Sequence, residues 1–167
     1  EKRQFMLDSV TTTQSLQDVM LEQARLSDLG EPRFKIAELI IGNIDDAGFL
    51  QSSVDELVFS SGSPSGEIQA VLDVVQTFHP PGIAARDLRE CLMLQLERAA
   101  RADSLEYRII RDCMNELGRR RIREIAKKTG ETVDTVQDAL EHIGHLEPKP
   151  GREYMPETNQ FVVPEIF

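Results

Sequence analysis

Tryptophan is absent, tyrosine occurs twice, and aromatic side chains make up only 5% of the 167 residues. A core in this chain must therefore be aliphatic, built from Leu, Ile, Val, Ala and Met. The length suits one medium or two small domains, and it can bury such a core without covalent staples. No stretch approaches the roughly 18 apolar residues of a membrane span, and no signal peptide is visible. Cysteine is as scarce as tyrosine. Cys91 and Cys113 form no CxxC or Cys/His cluster, which argues against a metal centre. Each sits in an apolar, helix-like stretch, the setting of a small buried hydrophobe in a reducing compartment. The three histidines, His79, His142 and His145, lack a partnered nucleophile in sequence, and there is no phosphate-binding glycine loop. Neither an enzyme nor a cofactor is expected.

Cations are scarce in one part of the chain. Residues 1–100 carry 8 Lys and Arg against 16 Asp and Glu, while residues 101–167 carry 11 against 13. Nucleic-acid binding rests on neutralising phosphates, so the acidic first part suits a basic protein surface better.

What is present is helical periodicity. Residues 1–13 show no apolar period and read as a linker. Leu16, Val19 and Met20 open a helix that Ser15 can cap and Gly30 is expected to end. Pro32 suits the first turn of the next helix, whose apolar face is Ile36, Leu39, Ile40 and Ile44. Asp45-Asp46-Ala47-Gly48 is a turn. A calcium loop is not expected there, because Ala47, Phe49 and Gln51 break the alternation of oxygen ligands, even though Glu56 falls twelfth from Asp45. Ser53 and Glu56 form a capping box for a short helix through Phe59. Ile68, Val71, Leu72, Val75 and Phe78 stripe another helix, stopped by Pro80-Pro81-Gly82. A long helix is expected over roughly 84–102, then one carrying Leu105, Ile109, Cys113 and Leu117. Two more carry Ile122, Ile125 and Ala126, then Val136, Ala139 and Ile143. The tail Gln160 to Pro164 looks extended. The class is all-α, with two small helical subdomains: a helical bundle over 14–102 and a helix-turn-helix-like unit over 103–150, followed by the extended start of a next region over 151–167. The chain stops at Phe167 inside a strand-like run and reads as excised from a longer protein.

A single constant offset, the one that lays Val54 on Ile122, superposes two segments without a gap. Leu57 then falls on Ile125, Gly62 on Gly130, Ile68 on Val136, Leu72 on Leu140, and Pro80 on Pro148. Each copy reads as short helix, glycine turn, longer helix, proline stop. In the second copy Ala126, Gly130, Val136 and Ala139 have helix-turn-helix spacing. A DNA-reading regulator is the natural alternative. However, the helix that would enter the groove offers Asp134, Asp138 and Glu141 outward, and its counterpart in the first copy has no Lys or Arg. These faces favour a protein partner.

The cationic run is Arg119-Arg120-Arg121-Ile122-Arg123, followed by Lys127 and Lys128. Cations at a helix N-terminus oppose the helix dipole, so local stability does not account for them. The run reads either as a solvated helix start or as a docking patch for a carboxylate-rich partner or a backbone phosphate, and the carboxylate-rich partner is the expectation.

The run Phe78 to Leu92, with His79-Pro80-Pro81-Gly82 at its start, resembles a hallmark stretch of bacterial RNA polymerase sigma-54 factors. So do Ile44 to Leu50 and Ile143 to Arg152, the latter followed by Phe161 to Glu165. The resemblance implies a cytoplasmic transcription-initiation protein whose all-helical core-binding domain docks on core RNA polymerase. It also implies a fragment lacking the activator-contacting and promoter-binding regions. Expected partner contacts are Arg119, Arg120, Arg121 and Arg123, together with the corner His79, Pro80, Pro81 and Gly82.

Overall fold

The computed structural model describes residues 14–154, among which there are nine α-helices, a closing 3-10 turn and no strand longer than a single bridge pair. The expected linker over 1–13 and the extended tail at Gln160 to Pro164 lie outside the described residues.

Helix α1 is Leu16–Leu26. Ser15 opens it with a reciprocal capping box to Asp18, and Met20 and Ala24 are buried from its inner face. It ends at Ser27 rather than at Gly30. Gly30, at φ 88°, instead forms the entry to α2, Glu31–Gly42, with Pro32 in the first turn. Helix α3, Val54–Ser61, starts at the expected Ser53/Glu56 box and continues past Phe59 to Ser61. Helix α4 is Ser65–Val75, so it ends before the Pro80-Pro81-Gly82 corner, and Gln76 caps it.

The long helix expected over 84–102 is shorter. Helix α5 is Leu88–Arg98, capped by the Asp87 carboxylate on Glu90 N–H. Residues 84 and 85 are held in a non-helical turn instead. Ala84 N–H donates to Gly48 O at 2.9 Å, and Ala85 O accepts from Leu50 N–H at 2.8 Å. Helix α6, Leu105–Asp112, and helix α7, Met114–Gly118, occupy a stretch expected to be one helix. Cys113 leaves helical geometry between them yet keeps helical hydrogen bonds on both sides, to Ile109 O at 2.7 Å and from Leu117 N–H at 2.8 Å. The apolar stripe therefore changes direction without being interrupted. Helices α8, Ile122–Thr129, and α9, Val133–Gly144, meet across Gly130. Pro150–Tyr154 forms the 3-10 turn.

Two aliphatic clusters hold these helices. The first gathers Met20, Ile40, Leu57, Ile68, Leu72 and Val75 from α1 to α4. The second gathers Leu92, Leu96, Ile109, Ile125, Val136 and Ile143 from α5, α6, α8 and α9. Each is almost wholly aliphatic, as the lack of aromatics requires.

The two halves are built alike. Helices α3 and α8 begin at positions 54 and 122, and helices α4 and α9 at 65 and 133, so both pairs keep the offset read from the sequence. Gly62 and Gly130 close α3 and α8 in the left-handed conformation, at φ 74° and 77°, each donating its N–H four residues back, to Val58 O and Ala126 O. The likeness extends beyond the segment that the sequence offset covers. Helices α1 and α5 match in length and begin at positions 16 and 88, a slightly wider offset. The buried pair Ile40-Ile41 of α2 corresponds to Ile109-Ile110 of α6. The offset drifts between the two ends because the loops differ in length, which is why a single gapless shift detects only one part.

Candidate functional site

The three motif segments that resemble sigma-54 factors come together at the junction of the two halves. The Asp45 to Leu50 turn is organised by one carboxylate. Asp45 Oδ1 accepts from the N–H groups of Ala47, Gly48 and Phe49 at 2.9–3.0 Å, and Oδ2 accepts from Gln51 Nε2 at 2.8 Å. That carboxylate is thereby committed to the backbone of its own turn. Gly48 then bonds Ala84, and Ala47 O accepts from Gly151 N–H at 2.9 Å. So the turn after α2 touches both the segment after the first proline corner and the segment after the second.

The proline corners themselves are clamped by glutamines. Gln23 of α1 donates through Nε2 to His79 O at 2.7 Å and accepts His79 N–H at 2.8 Å. Gln95 of α5 does the same to Glu147, at 2.7 Å and 2.9 Å. His79 and Glu147 are related by the same offset as Val54 and Ile122, so the clamp belongs to the repeated plan. A primary amide carries its donor and its acceptor on separate atoms, so it can satisfy both the N–H and the C=O of a single residue at once.

The corner residues therefore have a local structural part. Pro80 and Gly82 are buried. Gly82 sits at φ 89°, and a Cβ there would lie 2.8 Å from Cys91 Sγ and 3.0 Å from Gln95 Nε2. The corner is thus pressed against α5. Only His79 and the half-buried Pro81 face solvent, with His79 Nε2 3.6 Å from the Glu153 carboxylate. Between this corner and the Glu147–Glu153 segment lies a cleft of about 270 Å³. Burial pushes the Cys91 thiol up to about 11, so it stays protonated and is no nucleophile.

The basic run takes no part in these junction bonds and sits around the start of α8. Arg119 and Arg120 form the turn after α7, Arg121 is the residue before α8, and Arg123 lies in its first turn. All four are exposed. Arg121 reaches Glu124 at 3.3 Å, and Lys128 reaches Glu116 of α7 at 2.9 Å. Helix α8 lacks the side-chain cap that Ser53 provides to α3 at the equivalent position.

Helices α8 and α9 pack on each other and on α6, with Ile125, Ala126, Val136 and Ala139 buried, in the order of a helix-turn-helix. Thr132 caps α9 through Thr135 N–H. Asp134, Thr135, Gln137, Asp138 and Glu141 are all exposed on α9. In the first half, Glu67 of α4 is held by Arg33 at 2.9 Å and Asp73 is exposed. Neither second helix presents a cation to a groove.

Sequence reasoning missed one buried charge. Glu106 of α6 is 5% exposed and joins α6 to α9 by accepting from His142 Nδ1 at 2.6 Å and from Arg101 at 3.2 Å. Burial alone would raise its carboxyl, but the His142 hydrogen bond and the other favourable contacts outweigh it and hold the group below the ordinary carboxylate value. Its sequence position, directly after the apolar Leu105, gave only a weak signal.

Comparison with known proteins follows the same lines. Residues 6–167 match the family model described as sigma-54 factor, core binding domain. The chain is 35% identical over 159 residues to the RNA polymerase sigma-54 factor of Acidithiobacillus ferridurans, covering 93% of this chain and 34% of that protein. It is 31% identical to that of Escherichia coli K12, with 93% and 34% covered, and 29% identical to that of Bacillus subtilis 168, with 92% and 35% covered. The chain thus spans about a third of the length of these relatives.

Proposed function

We propose, from the premise that this chain belongs to the sigma-54 factor core-binding domain family, that it docks on core RNA polymerase as a non-catalytic helical module. The observation that carries this reading is the family match across residues 6–167. The convergence of the three motif segments on one junction supports it, since a module with a rigid junction presents a fixed surface to its partner.

The reading includes a cytoplasmic setting and a division of labour. The chain binds polymerase and by itself neither reads a promoter nor answers an activator. The acidic outer faces of α4 and α9 favour this over the helix-turn-helix DNA-reading alternative, because a carboxylate facing phosphates is repelled and contributes no counterion release. The proposed contacts are the basic turn that leads into α8 and the exposed edge of the His79–Gly82 corner. The two helical subdomains are proposed as 14–102 and 103–150, with α5 tying them together: its Leu92 and Leu96 belong to the second aliphatic cluster while Arg98 reaches Phe78 O at 2.8 Å.

The test is gel filtration of the chain with purified core polymerase, alongside a mobility-shift assay on promoter DNA. Co-elution without a DNA shift is expected. A DNA shift without co-elution would instead support the DNA-reading regulator.

A further inference from the structure

The folded chain divides the basic run into two sets. Arg121 and Lys128 are neutralised within the molecule, by Glu124 and by Glu116. Arg123 and Lys127 are one helical turn apart on α8, so they share one face, about 6 Å apart along the axis. Both are exposed, as are Arg119 and Arg120 in the turn just before. Among the described residues, these four make no ion pair with an acidic side chain, whereas their neighbours Arg121 and Lys128 do.

The duplicated plan indicates that the fold does not require these cations. In the first half, α3 occupies the same place, ends on the same left-handed glycine and buries the equivalent Leu57. There the positions of Arg119, Arg120, Arg123 and Lys127 are filled by Gln51, Ser52, Asp55 and Phe59. Arg123, in the first turn of α8, also opposes its dipole, whereas Lys127 lies in the last turn, where a cation is favourable. The equivalent start of α3 forms without any of them, so the fold does not require four unneutralised cations at this place.

We propose that Arg119, Arg120, Arg123 and Lys127 form one contact face for a carboxylate-rich protein surface on core polymerase. This inference rests on the polymerase-docking reading and names the chemistry of one of its surfaces. A protein surface is favoured over nucleic acid by extent and by neighbours. A duplex carries one phosphate charge for about every 1.7 Å of its axis and continues past so short a face. The packed neighbour α9 carries the exposed carboxylates of Asp134, Asp138 and Glu141, which would repel a phosphate backbone. A patch of acidic side chains can be as short as the cationic face and end where it ends.

The experiment measures the affinity of the 167-residue chain for purified core polymerase across a range of salt concentrations. It compares three variants with the same change of charge: Arg123→Glu, Lys127→Glu and Lys128→Glu. All three positions are exposed, and circular dichroism checks that each variant folds. Arg123→Glu and Lys127→Glu are expected to weaken binding by about tenfold or more and to flatten its salt dependence. Lys128→Glu, at the next position along and facing Glu116, is expected to stay within about threefold. Equal loss in all three would overturn the face and leave only a general charge effect. Unchanged binding by Arg123→Glu and Lys127→Glu would overturn it outright. If the unaltered chain fails to bind polymerase at any salt, the docking reading itself falls. If the chain binds a short DNA duplex and Lys127→Glu releases it, the partner is phosphate rather than carboxylate.

Discussion

Glu106 is the residue at which burial and charge meet. Its carboxylate is buried between α6 and α9, and the groups that bond it keep it ionised. Replacing it with Gln keeps the shape but removes the charge-assisted bonds, at an expected loss of about 1–3 kcal/mol at neutral pH. The carboxyl lies below its ordinary value of 4.5 in the folded chain. Its contribution is therefore present above the unfolded value and lost as pH falls through the folded one. Urea unfolding of the Glu106→Gln variant and the parent should accordingly converge once the pH falls below that folded value; a gap that persisted there would exclude the carboxylate as its source. Asp45 shows the converse. The adjacent acids Asp45-Asp46 are conspicuous in sequence, and the fold uses Asp45 to cage a turn. A carboxylate's type and spacing are visible in sequence, whereas its partners depend on which backbone amides the fold brings to it.

Elements were legible where local chemistry decides them. The Ser53/Glu56 capping box, the left-handed Gly62 and Gly130, and the apolar faces of α4 and α9 are all short-range features, and they appear where the sequence placed them. The start of α5 falls later than propensity predicts. Ala84 and Ala85 are good helix formers, yet tertiary bonds to Gly48 and Leu50 hold them out of helical geometry. The split between α6 and α7 at Cys113 carries no glycine or proline to announce it. The two related helices α3 and α8 differ at their caps in a way that can be exchanged. Arg121→Ser would give α8 the cap of α3, with Glu124 in the position of Glu56, and should raise stability by about 0.5–1 kcal/mol. Ser53→Arg should lower it by about 1 kcal/mol. Thermal melts of the two variants shifting in the same direction would refute the structural equivalence of the two helix starts.

For the molecule as a whole, the junction between the two clusters decides how the halves are held. The backbone of Gly151 comes close to that of Asp46 to Gly48, with its N–H on Ala47 O at 2.9 Å, and a Cβ at residue 151 would collide with Asp46 O. Gly151→Ala should therefore detach the second proline corner from the first half. A larger radius of gyration by small-angle scattering is expected, with both aliphatic clusters and the helical circular dichroism retained. An unchanged radius would mean that the halves are held by other contacts. The amino-acid sequence by itself determined the all-α class, the aliphatic cores, most helix starts, the helix-turn-helix-like spacing and the family, because these follow from periodicity, caps and short motifs within a few residues of one another. Only the tertiary structure decided that the repeat extends to four helices on each side, because loops of unequal length hide it from a single offset. It alone brought the three motifs to one junction, and it alone separated Arg123 and Lys127 from Arg121 and Lys128. Those outcomes depend on contacts between residues far apart in the chain, and the spacing along the sequence does not encode which side chains meet.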